Sequence, residues 1–242
     1  MALSLAGRGY DVAIHYSGSR DEAQATAAEA RAMGVRAQAF QADLLDEAAT
    51  AALIPQVAAA MGPLTVLVNN ASIFEHDTIH SATMAGWDRH IGSNLRAPFQ
   101  LIQAFAAQAP EAARDENDEP QAQALVVNMV DQRVLKPTPE FMTYSLAKAA
   151  LWSLTRTAAQ ALAPAVRVNA IGPGPTMIGA RQSPDHFAAQ RAATILQRGA
   201  DPQGITQALG YLLEARAVTG QLICVDGGQH LCWQTPDVLG IE

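Results

Sequence analysis

The chain contains 242 residues, 49% of them hydrophobic and 16% charged, and its formal net charge is −7. This size and apolar content exclude a disordered chain and suit a single α/β domain over residues 1–242. The acidic balance argues against a nucleic acid or an anionic membrane as partner. With neither a signal segment nor a bilayer-spanning apolar run in view, we expect a cytoplasmic protein.

Strand-like and helix-like segments alternate along the chain. Short β-branched runs predict strands at residues 12–16, 35–41, 64–68, 124–130, 166–170 and 221–225. Alanine-rich stretches predict helices at residues 21–33, 46–61, 83–91, 95–114, 141–162 and 202–215, with an exposed acidic loop at residues 114–123. The strands are apolar without alternating polarity, which is typical of a parallel sheet covered by helices on both faces.

Polar or glycine-containing clusters follow five of these strands: HYSGSR, ADL, NNAS, NMVD and GPGPT. In an open parallel sheet, ligands bind outside the carboxyl ends of the strands. One such turn would be ordinary, but five of this character predict a shared cleft. The two cysteines, Cys224 and Cys232, lack metal-ligand spacing, so no metal site is predicted.

A tyrosine and a lysine lie one helical turn apart at Tyr144 and Lys148, and an acid, Asp131, precedes the tyrosine by thirteen residues. A nearby ammonium favours the phenolate, and such a pair can exchange a proton with a carbonyl or an imine. A tyrosine and a lysine at this spacing are also common on helix surfaces, so the pair needs its context. The helical pair and the acid at a strand end predict that Asp131, Tyr144 and Lys148 converge at one cleft.

The context resembles the short-chain dehydrogenase/reductase family over nearly the full length of the chain. The matching segments are NNAS (69–72), SNL (93–95), YSLAK (144–148), RVNAIGPG (167–174) and VDGG (225–228). The resemblance implies a Rossmann-type doubly wound fold and hydride transfer between NAD(P) and a small-molecule substrate.

The same resemblance implies roles for individual residues. Tyr144 is the expected proton donor, Lys148 holds the nicotinamide ribose and lowers the pKa of Tyr144, and Asn94 kinks a helix and holds a water of the proton relay. Cofactor contacts are implied for Asp43, Leu44, Asn70, Ala71, Ser72, Pro173, Gly174 and Thr176. A mobile substrate lid is expected at about residues 177–200.

Two departures from the usual family pattern resemble its pteridine reductase branch. Asp131 stands where most members have serine, and Ser72 stands where most have glycine. Phe74 could stack on a flat pterin, and Asp131 could relay a proton to the nitrogen of a C=N bond. Asp131 as a strand-end cap and Phe74 as a core aromatic are the alternatives. The alternative substrates are a generic carbonyl or a 3-oxoacyl thioester.

Cofactor choice depends on the residues after the strand at residues 12–16. Members that prefer NAD(H) carry an acid there for the ribose 2′-hydroxyl, whereas this chain has no acid before Asp21. Ser19 and Arg20 could hold a 2′-phosphate, so NADP(H) is favoured over NAD(H). A solvated Arg20 is the alternative.

The alanine-rich helices at residues 95–114 and 141–162 are apolar on more than one face. One face would cover the sheet and another would pack on a symmetry mate, so we expect a homo-oligomer, a tetramer or a dimer.

The opening segment MALSLAGRGYDV resembles the end of the family's first helix, so the usual first strand and its TGxxxGxG loop have no counterpart in the sequence. Gly7 and Gly9 precede a strand and predict a helix C-terminus. That first strand is the central one of the family's sheet. We therefore expect the strands at residues 12–16 and 64–68 not to pair directly, and the natural chain to extend upstream. The chain as given should then bind NADPH weakly. The alternative of another functional class is an inactive family member with a binding role only, but the intact Tyr144, Lys148 and Asn94 favour an enzyme.

Overall fold

The computed structural model describes residues 1–179 and 182–234. Its strands are β1 (Val12–Tyr16), β2 (Ala37–Gln41), β3 (Val66–Asn69), β4 (Ala113–Arg114), β5 (Pro120–Gln121), β6 (Ala124–Met129), β7 (Val166–Pro173) and β8 (Leu222–Val225). Its α-helices are α1 (Ala2–Ala6), α2 (Arg20–Ala32), α3 (Glu47–Met61), α4 (Met84–Ile91), α5 (Ala97–Ala106), α6 (Met142–Leu162), α7 (Pro184–Ala192) and α8 (Pro202–Glu214). None of the helices in the described ranges is long and apolar enough to cross a membrane.

The parallel strands form two separate sheets. β3, β6, β7 and β8 lie side by side in that order with every pair parallel, and β1 pairs in parallel with β2. Helices cover both faces of the larger sheet. Val126 of β6 packs with Phe105 of α5 and Ala158 of α6, whereas its neighbour Val127 packs with Leu209 of α8. The predicted Rossmann-type, doubly wound α/β fold is confirmed.

β1 and β3 do not pair directly, as the sequence predicts. A cleft of about 610 Å³ lies between them and is lined by Val12 and Ile14 of β1 and by Val66 and Val68 of β3. The predicted helix C-terminus is also present, because the Gly9 amide donates to the carbonyl of Ala6 after the last turn of α1.

The predicted helix at residues 95–114 is wrong at both ends. A π-helical turn at Gly92–Arg96 precedes α5, and α5 ends at Ala106. Pro110 has no amide hydrogen to continue a helix, and the chain then turns into an antiparallel hairpin of β4 and β5 inside the predicted acidic loop. The strand predicted at residues 166–170 is longer than expected, since β7 continues to Pro173 by pairing with β8.

A buried arginine closes the carboxyl end of α8. Arg167 of β7 is 9% exposed, and its Nη1 donates to the carbonyl oxygens of Leu212, Ala215 and Val218 at 2.8, 3.0 and 3.2 Å. The last carbonyls of a helix have no intrahelical donor, and a cation there also interacts favourably with the helix dipole. Arg167 therefore joins β7 to α8.

We predict that Arg167→Met lowers the free energy of unfolding by roughly 2–4 kcal/mol, because four carbonyl oxygens lose a charged donor in a largely buried setting. Urea denaturation measures the change. The exposed Arg216, which donates to Gln121, is the matched control. Arg216→Met should change the free energy by no more than about 0.5 kcal/mol. Equal losses in the two variants would contradict the capping role.

Candidate active site

The site centres on a hydrogen bond between Tyr144 and Asp131. The phenol Oη of Tyr144 donates to Oδ2 of Asp131 at 2.8 Å. Tyr144 lies in the first turn of α6, and Asp131 follows the end of β6, so the bond joins a helix to a strand end. The predicted convergence of these two residues is confirmed.

The two oxygens of Asp131 have different partners. Oδ1 accepts from the backbone amide of Arg133 at 2.8 Å and caps the 3₁₀ turn at Gln132–Val134. Oδ2 accepts from Tyr144 and lies 3.7 Å from Nη1 of Arg133. Asp131 therefore both caps the strand end and binds the phenol. From the sequence, the cap was the alternative to a role beside Tyr144.

An aromatic cluster lies against the phenol. The ring of Phe74 meets the ring of Tyr144 edge-on with centroids 4.7 Å apart, and it stacks on Phe141 at 4.3 Å with an interplanar angle of 9°. The guanidinium of Arg133 lies 4.9 Å from the Phe141 centroid and 5.4 Å from that of Phe74. Phe74 is 42% exposed, which excludes the alternative interpretation that it is an aromatic residue of the hydrophobic core.

Lys148 lies behind the phenol on the same face of α6. Its ammonium lies 5.6 Å from the centroid of Tyr144 and donates to the carbonyl oxygen of Met129 at 2.7 Å. The side chain is 2% exposed, and burial lowers the pKa of Lys148 to about 8, against an opposing effect of Asp131. The end of β6 thus anchors a cation inside the protein.

The expected lowering of the tyrosine pKa by Lys148 is wrong for this structure. Burial and the negative charge of Asp131 raise the pKa of Tyr144 well above 10 and outweigh the lowering by Arg133 and Ser72. The phenol therefore stays protonated at neutral pH and donates its hydrogen bond to the Asp131 carboxylate.

Asn94 lies in the π-helical turn between α4 and α5 and is fully buried. Its side chain accepts from the amide of Ile73 at 2.9 Å and donates to the carbonyl of Ile73 at 2.8 Å. The resemblance predicts a kinked helix at Asn94, and the structure has a π-helical turn there. The side-chain amide fixes the loop that follows β3, and the predicted water contact stays a prediction.

Comparison with known proteins agrees with this geometry. Residues 1–230 match the family model described as enoyl-(acyl carrier protein) reductase. The chain belongs to the short-chain dehydrogenase/reductase family of oxidoreductases.

Similar members of this family differ in their activities. FolM alternative dihydrofolate reductase 1 from Brucella canis, complexed with NADP, is 43% identical with a TM-score of 0.90 over 98% of this chain and 90% of that chain. A short-chain dehydrogenase from Burkholderia cenocepacia in complex with NADP is 31% identical with a TM-score of 0.83, over 94% of this chain and 91% of that chain. The 3-oxoacyl-[acyl-carrier-protein] reductase FabG of Staphylococcus aureus is 32% identical over 236 residues, 96% of this chain and 92% of that protein.

The cofactor candidates of this short-chain dehydrogenase/reductase lie around the ends of its parallel strands. Leu44, Asn70 and Ala71 line the same cleft between β1 and β3. The remaining candidates follow strand ends: Ser19 and Arg20 after β1, Asp43 after β2, Ser72 after β3, and Pro173, Gly174 and Thr176 at the end of β7. A Cβ at Gly174 would lie 2.6 Å from the Cα of Asp226, so the backbone can pass there only as glycine.

Sequence reasoning missed several neighbours of Tyr144. Arg133 is two residues beyond Asp131, and its place in a capped turn was a usable signal. Phe141 has a φ of +57°, a left-handed conformation that no sequence pattern predicts for phenylalanine. His90, to which the sequence assigned no role, is 1% exposed, and its ring centroid lies 6.2 Å from that of Tyr144. Across residues 1–179 and 182–234, no cluster of three or more histidine, cysteine or acidic side chains could hold a metal ion.

We predict that Lys148→Met stabilises the protein most at neutral pH. The pKa of Lys148 is about 8 in the folded protein and 10.5 for an unperturbed lysine. Between these two pH values Lys148 is mostly protonated in the unfolded chain and mostly neutral in the folded protein. The stability of the unsubstituted protein relative to Lys148→Met therefore rises as pH increases through this window, by on the order of 2–3 kcal/mol. Urea denaturation at pH ~7 and pH ~10 measures it.

Lys136 provides the control for this prediction, because it is partly exposed and lies outside the core. Lys136→Met should show no comparable dependence on pH. A constant stability difference between Lys148→Met and the unsubstituted protein at the two pH values would contradict the burial argument.

Proposed function

We propose that the chain is an NADPH-dependent reductase of a flat C=N substrate of the pterin or dihydrofolate class, with Tyr144 as its proton donor. The observation that carries the proposal is the 2.8 Å hydrogen bond from Tyr144 to Asp131. A ketone reductase needs only a neutral hydroxyl beside the tyrosine to polarise its carbonyl. A C=N bond needs a proton delivered to nitrogen, and a carboxylate that shares the phenol proton suits that task.

The side chains around the phenol support proton delivery at neutral pH. The raised pKa of Tyr144 keeps the phenol protonated at neutral pH, so its proton is present when hydride addition to carbon makes the substrate nitrogen strongly basic. Arg133, at 3.7 Å, stabilises the negative charge on Asp131. A substrate nitrogen within reach of the phenol or of Asp131 can therefore take the proton, and solvent returns it through the partly exposed turn at Asp131.

The aromatic cluster supports a flat substrate. Phe74 is exposed beside the phenol and already forms a parallel stack with another ring, that of Phe141. Offset stacking of this kind favours planar conjugated ligands over the flexible acyl chain of a thioester. The 43% identity to the Brucella dihydrofolate reductase agrees with this substrate class.

The residues present fit the nicotinamide end of NADP(H), the cofactor in the two similar NADP complexes. Lys148 has three N–H donors, and its described bond to Met129 uses one of them, which leaves donors for ribose hydroxyls. Arg20 begins α2, where a guanidinium and a helix N-terminus both favour a 2′-phosphate. Bound NADPH supplies the hydride, and we assign no residue to its diphosphate.

The function is tested by NADPH oxidation with dihydrofolate, dihydrobiopterin and acetoacetyl-CoA, together with NADPH binding by calorimetry. We expect turnover of the pterins at least ~10-fold above that of the thioester, in kcat/KM, and a loss of ~10²–10⁴-fold in kcat for Tyr144→Phe. Preference for the thioester would support the second candidate, a 3-oxoacyl-thioester reductase, which the Staphylococcus FabG relative favours. Binding without turnover of any substrate would support a non-catalytic role.

We predict that Asp131→Ser shifts the substrate preference toward ketones. Serine keeps a hydroxyl that can polarise a carbonyl but removes the carboxylate that shares the phenol proton. The ratio of kcat/KM for dihydrobiopterin to that for a simple ketone should fall at least ~10-fold. Asp115→Ser, in the exposed hairpin, is the control and should leave the ratio unchanged. An unchanged ratio in Asp131→Ser would contradict a role of Asp131 in C=N reduction.

A homo-oligomer, tetramer or dimer, stays part of the proposal. Phe99 of α5 and Leu146 of α6 are each 45% exposed, on helices whose other faces cover the sheet. Light scattering of the purified chain at micromolar concentration tests it, and a monomeric mass would contradict it.

A further inference from the structure

The helix that carries Tyr144 begins without a local cap. Phe141 occupies the N-cap position of α6, in a left-handed conformation and with no side-chain cap hydrogen bond. The first amides of a helix have no intrahelical acceptor and need partners from elsewhere. Because Tyr144 is in this first turn, whatever holds these amides also determines where the phenol lies.

Asp77, from the loop after β3, supplies the missing acceptors. Its Oδ1 accepts from the backbone amide of Thr143 at 3.1 Å, and its carbonyl oxygen accepts from the amide of Met142 at 3.3 Å. Its Oδ2 accepts from the hydroxyl of Thr143. Asp77 is 7% exposed, and a carboxylate at a helix N-terminus is favoured by the helix dipole. It acts as a remote N-cap.

His90 of α4 completes the arrangement. The Thr143 hydroxyl uses its only hydrogen to donate to the Asp77 carboxylate. Toward Nδ1 of His90, at 2.7 Å, the same hydroxyl oxygen can therefore only accept. Nε2 of His90 accepts from the backbone amide of Glu75 at 3.2 Å. Both ring nitrogens therefore have defined roles, and the hydrogen bonds require the neutral Nδ1–H tautomer.

We infer that Asp77, Thr143 and His90 form a clamp that positions Tyr144 against Asp131. The clamp joins the loop after β3, α4 and the first turn of α6, and the His90 ring packs edge-on to the ring of Tyr144. None of the three touches the phenol oxygen, so they are positioning residues. Their effect on turnover rests on the proposed function of Tyr144, whereas their effect on the phenol itself does not.

The test uses Thr143→Val, which keeps the shape of the side chain and removes the hydroxyl, and Thr143→Ser, which restores it. Asp77→Ala removes the remote cap. The readouts are kcat, KM and the ¹³Cζ resonance of Tyr144 in the tyrosine-labelled protein. The chain has 4 tyrosines, and Tyr144→Phe assigns the signal.

Asp46→Ala is the matched control. Asp46 is the ordinary N-cap of α3, where its Oδ1 accepts from the amides of Ala48 and Ala49. Its loss should weaken the fold as a missing cap does, without moving the resonance of Tyr144.

In Thr143→Val and Asp77→Ala we expect a shifted Tyr144 resonance and a fall in kcat of at least ~10-fold with KM within ~2-fold, and recovery of both in Thr143→Ser. If Asp77→Ala does not fold, the isosteric Thr143→Val carries the test. An unmoved resonance in folded Thr143→Val, or an equal shift in Asp46→Ala, would overturn the clamp. Full activity of Tyr144→Phe would instead overturn the proposed function and leave the resonance as the test of the clamp.

Discussion

The burial of β6 on both faces is the constraint on which the rest of the structure depends. All six of its residues are buried, and the parallel strands β3 and β7 flank it. Parallel pairing brings the carboxyl ends of these strands to one edge, and two residues beyond β6 the chain reaches Asp131. The carbonyl of Met129, the last residue of β6, accepts from Lys148 and so attaches α6 to the same edge.

A chain of buried polar groups fixes the register behind this edge. Asn69 of β3 donates to Asn128 of β6 at 2.8 Å, and Asn128 donates to Thr155 of α6 at 2.9 Å. Hydrogen bonds are directional and costly to leave unmade in a buried site, so they oppose any sliding of β3, β6 and α6 past one another. Packing of valine and alanine alone would tolerate such shifts more readily.

The charges around Tyr144 have opposite effects on the pKa of its phenol, and their distances from the phenol decide which effect is larger. Asp131 accepts directly from the phenol, whereas the ammonium of Lys148 is turned toward Met129 and lies 5.6 Å from the ring centroid. The carboxylate and burial therefore dominate, and the pKa of the phenol rises. The lysine at one helical turn suggested the opposite, since sequence spacing gives the face of a helix but not the direction of a side chain.

The sequence by itself determined the order of the parallel strands and of the helices that connect them, the parallel sheet, the polar strand ends and the convergence of Asp131 with Tyr144. These follow from local periodicity and from the rule that parallel strands end at one edge. Only the tertiary structure decided the stack of Phe74 on Phe141, the position of Arg133, the raised pKa of Tyr144 and the clamp from Asp77. The reason is distance along the chain: Asp77 and Thr143 are 66 residues apart, and no local pattern in either segment encodes a hydrogen bond to the other.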